Sequence, residues 1–251
     1  MTDLYTLIRK EVSRFLRVWK QTLVPPIITI VLYLAIFGKF IGDRISVVEG
    51  VGYIDFIFPW LLMMSVIMAS YQNTSSSFFG SKFQKSIEEL FVSPIAYWKI
   101  LVGFCVGAML RGIIVAGLVF ATGSLMTDIH IQSYFYAFVF VFLTSFLFAL
   151  LGLLNGLYAK SFDDISIIPT FIITPLIYLG GVFYPISILP NGWQIVSQFN
   201  PILYMVNGLR YAFIGVSDIS ISFSIGILLA FIGIFIGVIL HLLKKGYGIR
   251  S

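Results

Sequence analysis

Residues 134–158 read YFYAFVFVFLTSFLFALLGLLNGLY, an uninterrupted stretch from Tyr134 to Tyr158 without one charged side chain. As a helix rising about 1.5 Å per residue, a stretch of this length exceeds the roughly 30 Å hydrocarbon core of a bilayer. The whole chain shares that character, with 59% hydrophobic and 11% charged residues among 251 and a mean hydropathy of +1.00. Soluble domains carry charge on about a quarter of their residues, so the chain is read as a membrane protein. Outward from this stretch, further apolar runs lie at 24–41, 54–71, 100–125, 165–183 and 223–243, which makes six spans. Six crossings leave only short loops. One membrane domain over 1–251 is expected, with no length to spare for a nucleotide-hydrolysing or large extracellular module.

Charge placement predicts orientation. With both termini on one side, that side receives Arg9, Lys10, Arg14, Arg17, Lys20, Lys82, Lys85, Lys99, Lys160, Lys244, Lys245 and Arg250. Lys39, Arg44 and Arg210 face the other way, and Arg111 falls inside a span. The positive-inside rule puts both termini in the cytoplasm. The net charge of +5 is then topological, and no nucleic-acid partner is expected.

Three segments are more than turns. Residues 1–22 place Leu4, Leu7, Ile8, Val12, Phe15, Leu16 and Trp19 at helical spacings with the basic residues mostly off that stripe, which predicts an interfacial helix on an anionic lipid surface. Residues 76–98 carry Phe79, Phe83, Ile87, Leu90 and Phe91 at helical intervals among Lys82, Lys85, Glu88 and Glu89, closed by Ser93-Pro94. They predict a short amphipathic helix in the cytoplasm. Residues 184–221 hold Pro185, Pro190, Asn191-Gly192 and Asn200-Pro201, and the apolar runs between these breakers are too short to span. A re-entrant helix-turn-helix on the outer side fits them.

No catalytic constellation is legible. His130, His241 and Cys105 are not neighbours in sequence, a lone cysteine excludes an internal disulfide, and no phosphate-binding glycine loop ending in Lys-Ser or Lys-Thr occurs. The chain is not expected to be an enzyme or to hold a metal. Asp163 and Asp164 suit helix capping better than a functional carboxylate pair, and Gly226, Gly233 and Gly237 suit close helix packing. Pro169 and Pro175 could kink the fifth span, as a gate or as a static bend. Arg111 lies about 12 residues into the third span, near mid-membrane at about 1.5 Å per residue. A cation there either pairs structurally with carbonyls or a carboxylate, or lines a wet path for anionic groups. The ease with which a carbonyl partner is supplied favours the structural role. Arg210 either anchors the outer segment by hydrogen bonding or snorkels to the interface.

This order of elements resembles the ABC-2 type permease family. Lys85-Ser86-Ile87-Glu88-Glu89-Leu90-Phe91-Val92-Ser93-Pro94-Ile95 is similar to the family's first-loop pattern, although Ser86-Ile87 stands where Gly-Thr is usual. Gly180-Gly181-Val182-Phe183-Tyr184-Pro185, Leu189-Pro190, Asn200-Pro201-Ile202-Leu203-Tyr204 and Arg210 follow its carboxyl-side signature. Tyr178 to Tyr184 and Asn207 to Tyr211 most resemble the YadH-type subgroup. The resemblance implies half of a paired export conduit, as a homodimer in the bacterial inner membrane, served by two copies of an ABC ATPase subunit that carries the ATP and Mg. No cofactor is expected in this chain. The cargo implied is amphipathic or hydrophobic: a lipid, a drug or a glycan. Phe79, Phe83, Ile87, Glu88, Glu89 and Phe91 are the implied ATPase-coupling residues. Arg111, Gly180, Gly181, Phe183, Tyr184 and Arg210 are the candidates for the pathway or its gate. A secondary transporter or channel without ATP coupling is the alternative, weakened by the scarcity of titratable residues deep in the spans.

Overall fold

The computed structural model describes residues 2–41, 47–48, 51–127, 129–180 and 190–248. Six helices among them are long and apolar enough to cross a membrane, as the sequence predicts. Helix α1 is Thr2–Arg17. The first span is α2, Trp19–Tyr33, continued by a π-helical stretch, Leu34–Ile41. A two-residue antiparallel pairing of Val47–Val48 with Val51–Gly52 follows, and it departs from an otherwise all-helical architecture. Then come α3 (Tyr53–Phe83), α4 (Ser86–Val92), α5 (Tyr97–Met126) and α6 (Tyr134–Tyr158). The fifth span has three parts: α7 (Phe162–Ile168), a π-helical turn (Pro169–Ile173) and α8 (Thr174–Leu179). Helices α9 (Asn191–Gln198), α10 (Pro201–Ile214) and α11 (Ile221–Lys245) complete the fold.

The core is organised on α3. Its apolar part buries Phe56, Phe58, Trp60, Met63, Val66 and Ile67, and the helix then runs on through Asn73, Thr74, Ser75 and Ser77, all of them buried. Polar side chains are tolerated there because α1 and α6 receive them. On α6, a Cβ at Gly152 would strike the backbone of Tyr71 and Ser75, so the two helices meet almost backbone to backbone. Asn155 Nδ2 donates to the Tyr71 hydroxyl at 2.6 Å beside this contact.

Helix ends follow local chemistry. Ser161 and Asp164 form a capping box at the start of α7: the Asp164 N–H donates to Ser161 Oγ at 3.2 Å, and the Lys160 and Ser161 N–H groups donate to Asp164 Oδ2 at 2.8 and 3.0 Å. The capping role expected for this acidic pair holds for Asp164. In the fifth span, proline removes a backbone donor and the helix widens into the π turn, where Thr174 Oγ1 donates to Pro169 O at 2.8 Å. Tyr247 packs on Tyr158 at 5.1 Å between ring centroids, and Lys82 Nζ donates to Leu157 O and Ala159 O at 3.1 and 2.8 Å. Helix α1 reaches Ser77 and Ser81 of α3. Helix α1 and Tyr247, near the two ends of the described residues, thus lie at the α4 end of the bundle.

One packing expectation is corrected. A Cβ at Gly226, Gly233 or Gly237 would meet nothing within 4 Å, and all three sit on the exposed side of α11. They serve no close approach within the chain. Gly152→Val is expected to force α3 and α6 apart and destabilise the protein by about 1–3 kcal/mol. Gly233→Ala should leave the thermal midpoint in detergent unchanged, and equal midpoints for the two variants would contradict this packing.

Candidate functional site

The α4 end of the bundle is built by a break in α3. Lys85 adopts a left-handed backbone conformation with φ 58°, so α4 cannot continue the axis of α3. Ser86 Oγ donates to Ser81 O at 3.2 Å across the break, and Ser93 Oγ to Leu90 O at 2.8 Å ends α4 before Pro94. Ile87 is buried and fastens the short helix to the core, while Phe91 is half-buried against Tyr97 at 5.9 Å. Glu88 and Glu89 are exposed, Phe83 is 67% exposed and Val92 88%. Phe79 is buried, edge-on to Phe162 at 4.9 Å, and Phe83 meets the same ring at 5.2 Å. The expectation that Ile87 presents apolar area to a partner is therefore corrected. Of the six coupling candidates, Phe79 and Ile87 face inward, and Val92, which the sequence reading passed over, faces out.

Sequence reasoning also missed a polar cluster that locks α1 to α3. The buried stripe of α1 is Leu7, Glu11 and Phe15, with Glu11 at 0% exposure. Ser77 Oγ donates to Glu11 Oε2 at 2.6 Å, and Arg14 Nε approaches the same oxygen at 3.4 Å. Arg14 Nη2 donates to Asn73 O and Asn73 Oδ1 at 2.8 and 2.9 Å. On the other flank, Leu7 and Glu11 seat over Gly103 and Gly107 of α5. Part of the basic face expected to meet lipid, Arg14 above all, is turned into the protein. The signal was in the sequence, since positions 7, 11 and 15 share one helix face.

At mid-bundle, Arg111 sits halfway along α5 and is 8% exposed. No hydrogen bond or ion pair joins it to any described residue, and its Nε is buried without a partner. The structural pairing favoured from sequence is absent among the described residues. Arg111 instead lines two cavities, together with Met68 and Gln72 of α3. One, of about 240 Å³, lies between α2 and α3, and the other, of about 460 Å³, lies between α3 and the α7–π turn segment.

Arg210 is elsewhere. It is 3% exposed, pairs with Asp218 Oδ2 at 3.3 Å and lies over the Phe56 ring at 4.2 Å. Snorkelling is thus excluded in favour of internal anchoring. Phe56 and Met68 are separated by roughly 20 Å of helix at 1.5 Å per residue, so Arg210 and Arg111 share no site. Gly180, which ends α8, is buried, with its N–H on Ile177 O at 3.1 Å. Gly181, Phe183 and Tyr184 lie outside the described residues.

The α10 region is held by two asparagines. Asn200 caps α10 by accepting from the Ile202 N–H at 3.0 Å and donates to Leu176 O of α8 at 2.6 Å, with Pro201 occupying the first helical position. Asn207 Nδ2 donates to Ile219 O at 2.9 Å and its Oδ1 accepts from the Asp218 N–H at 2.8 Å, which fixes the α10–α11 loop. Gly208 faces the Phe140 ring so closely that no Cβ would fit. Comparison with known proteins gives these positions a context: the ABC-2 type transporter family profile matches residues 2–214.

The chain belongs to the ABC-2 type transporter family. It is 48% identical over 242 residues, 96% of this chain and 94% of the relative, to the inner membrane transport permease YadH of Escherichia coli K12. It is 25% identical over 203 residues, 80% of this chain and 78% of the relative, to nodulation protein J of Rhizobium leguminosarum bv. viciae. In this ABC-2 chain the described part of the carboxyl-side motifs holds structure, with Asn200 and Asn207 as staples and Arg210 as an anchor. Replacing Asn207 by Leu strips two loop backbone groups of their partners, and a loss of about 2–4 kcal/mol is expected. Thermal unfolding in detergent reads it, and an unchanged midpoint would show that Asn207 does not hold the loop.

Proposed function

We propose that this chain is the transmembrane subunit of an ATP-driven exporter, paired with a second copy of itself and driven by two ABC ATPase subunits. The observation that carries this reading is α4, a short helix pinned by Ile87 whose outer surface is left to Glu88, Glu89 and Val92, with Phe83 exposed at the end of α3 before it. An amphipathic helix end with apolar anchors and a charged rim suits docking into a groove, the apolar groups giving affinity and the charges orientation. An open groove of about 770 Å³ beside it, lined in part by Lys10, Arg14, Gln84 and Glu89, adds polar surface at the same end. Family membership supports a nucleotide-hydrolysing partner, and the relative named an inner membrane transport permease supports that location here.

In this reading the α4 end faces the cytoplasm, in line with the positive-inside distribution of Lys and Arg. Helix α1 lies along the inner interface, with the exposed Trp19 at the start of α2 just beyond it. Helices α9 and α10, about 12 and 21 Å long at 1.5 Å per residue, are too short to cross a core of about 30 Å. They form the outer re-entrant segment, with Trp193 and Phe199 of that segment exposed toward the interface and α10 sunk in the bundle. Force applied to α4 reaches α3 through Gln84 and Lys85, and α3 passes it to α1 through Glu11 and Arg14 and to α6 through Lys82. The nucleotide, with its Mg, binds the partner and not this chain. Export follows because two conformations of the pair hold an amphipathic or hydrophobic cargo with different affinity.

Phe83→Asp with Val92→Asp is expected to abolish co-purification of the ATPase partner, or to cut cargo-stimulated ATP hydrolysis by about tenfold or more, since a charge replaces each exposed apolar anchor. Gel filtration checks that the variant folds. Retained, fully coupled hydrolysis in the folded double variant would sink the docking role, and uphill pumping by the chain alone in vesicles would favour an ATP-independent carrier.

A further inference from the structure

Arg111 is a cation without an anion. The residue is 8% exposed, its Nε is buried without a partner halfway along a membrane-crossing helix, and no described carboxylate or carbonyl accepts from it. The neighbouring charge that acts on it is Arg14, a second cation. A buried, uncompensated charge at that depth is expensive and marks a functional site. Two cavities meet at it. Ile30, Leu61 and Met64 line the one of about 240 Å³ together with Thr29 and Ser65, and Ser75, Ser166 and Thr170 line the one of about 460 Å³. The larger falls within the range of about 300–1,000 Å³ typical of ligand sites. Hydroxyls beside a guanidinium suit an oxyanion, since all are donors and the guanidinium presents a bidentate fork. Thioether and aliphatic side chains across the shared Met68 and Gln72 suit a hydrocarbon chain.

We infer that Arg111 and the two cavities meeting at it bind an anionic amphiphile, its phosphate, sulfate or carboxylate head on the guanidinium and its tail along the α2–α3 wall. This names the class of cargo for the exporter proposed above and rests on that reading only for the ligand's being cargo. Recognition itself belongs to this chain and needs no nucleotide.

The test uses the purified full chain in a neutral maltoside detergent, with equilibrium dialysis of radiolabelled dodecyl phosphate. Wild type is expected to bind it at least tenfold tighter than dodecyltrimethylammonium, and inorganic phosphate is expected to displace it poorly. Arg111→Gln should lose at least tenfold in dodecyl phosphate affinity, and Arg111→Lys should keep a part of it. Should Arg111→Gln fail to fold, Gln72→Glu, at an exposed position on the shared wall, places a carboxylate there. It should weaken dodecyl phosphate binding without weakening that of dodecyltrimethylammonium. Equal binding of the anionic and cationic probes overturns the inference. So does unchanged affinity in folded Arg111→Gln, and so does displacement by inorganic phosphate at equal concentration. In the complex with the ATPase, dodecyl phosphate should stimulate hydrolysis in wild type but not in Arg111→Gln. Binding without any hydrolysis by the complex would refute the exporter reading and leave the binding site standing.

Discussion

The close approach of α3 and α6 at Gly152 sets the terms for the rest of this fold. Within a membrane no water pushes helices together, so association relies on packing and on hydrogen bonds between helices. Gly152 lets the Tyr71 backbone come into contact, and Asn155 bonds the Tyr71 hydroxyl beside it. With that axis fixed, α3 can carry Asn73, Thr74, Ser75 and Ser77 on its buried surface, because partners on α1 and α6 surround them. A helix this polar could not face lipid.

The polar residues gathered at the α4 end make that end stiff. Glu11, Ser77, Arg14 and Asn73 form a chain of charge-assisted bonds, and Lys82 satisfies two carbonyls at the end of α6, where the helix dipole also favours a cation. Helix α4 is therefore joined to a helix that is itself tied to α1 and α6. The opposite side of the bundle differs. Helices α2 and α7–α8 expose Ile28, Leu32, Phe171 and Ile172, and only the cavities beside Arg111 interrupt them with polar groups.

The sequence disclosed what depends on long averages and hid what depends on single contacts. Spans were legible because some twenty apolar residues in a row have one physical use, and the end of α4 was legible from Ser93-Pro94, but its start was not, because Phe79 and Phe83 belong to α3 and only the turn at Lys85 separates the two helices. Glu11 was hidden, because a glutamate among basic residues reads as solvated surface until Ser77 is known to face it. Gly226, Gly233 and Gly237 misled, because glycine in an apolar helix says that a neighbour could come close and not that one within the chain does. The absence of a partner for Arg111 was likewise out of reach, since carbonyls are everywhere along a sequence and only geometry withholds them. The Asn200-Pro201 and Asn207 to Tyr211 motifs were found by resemblance, and their bonds to Leu176, Ile219 and Asp218 supply the physical reason for those residue types.

The left-handed residue between α3 and α4 carries one more implication. A non-glycine residue in that conformation is held there at some energetic cost, and it alone sets the direction in which α4 leaves α3. Adding or deleting one amino acid on either side would swing the outward surface by about 100° around the helix axis. Glu88, Glu89 and Val92 would then be turned to a different side of the bundle. Length at this junction is thus as constrained as residue type, and chains that vary freely in loop size elsewhere should keep this spacing unaltered, much as gear teeth tolerate wear on their faces but not a change in their number.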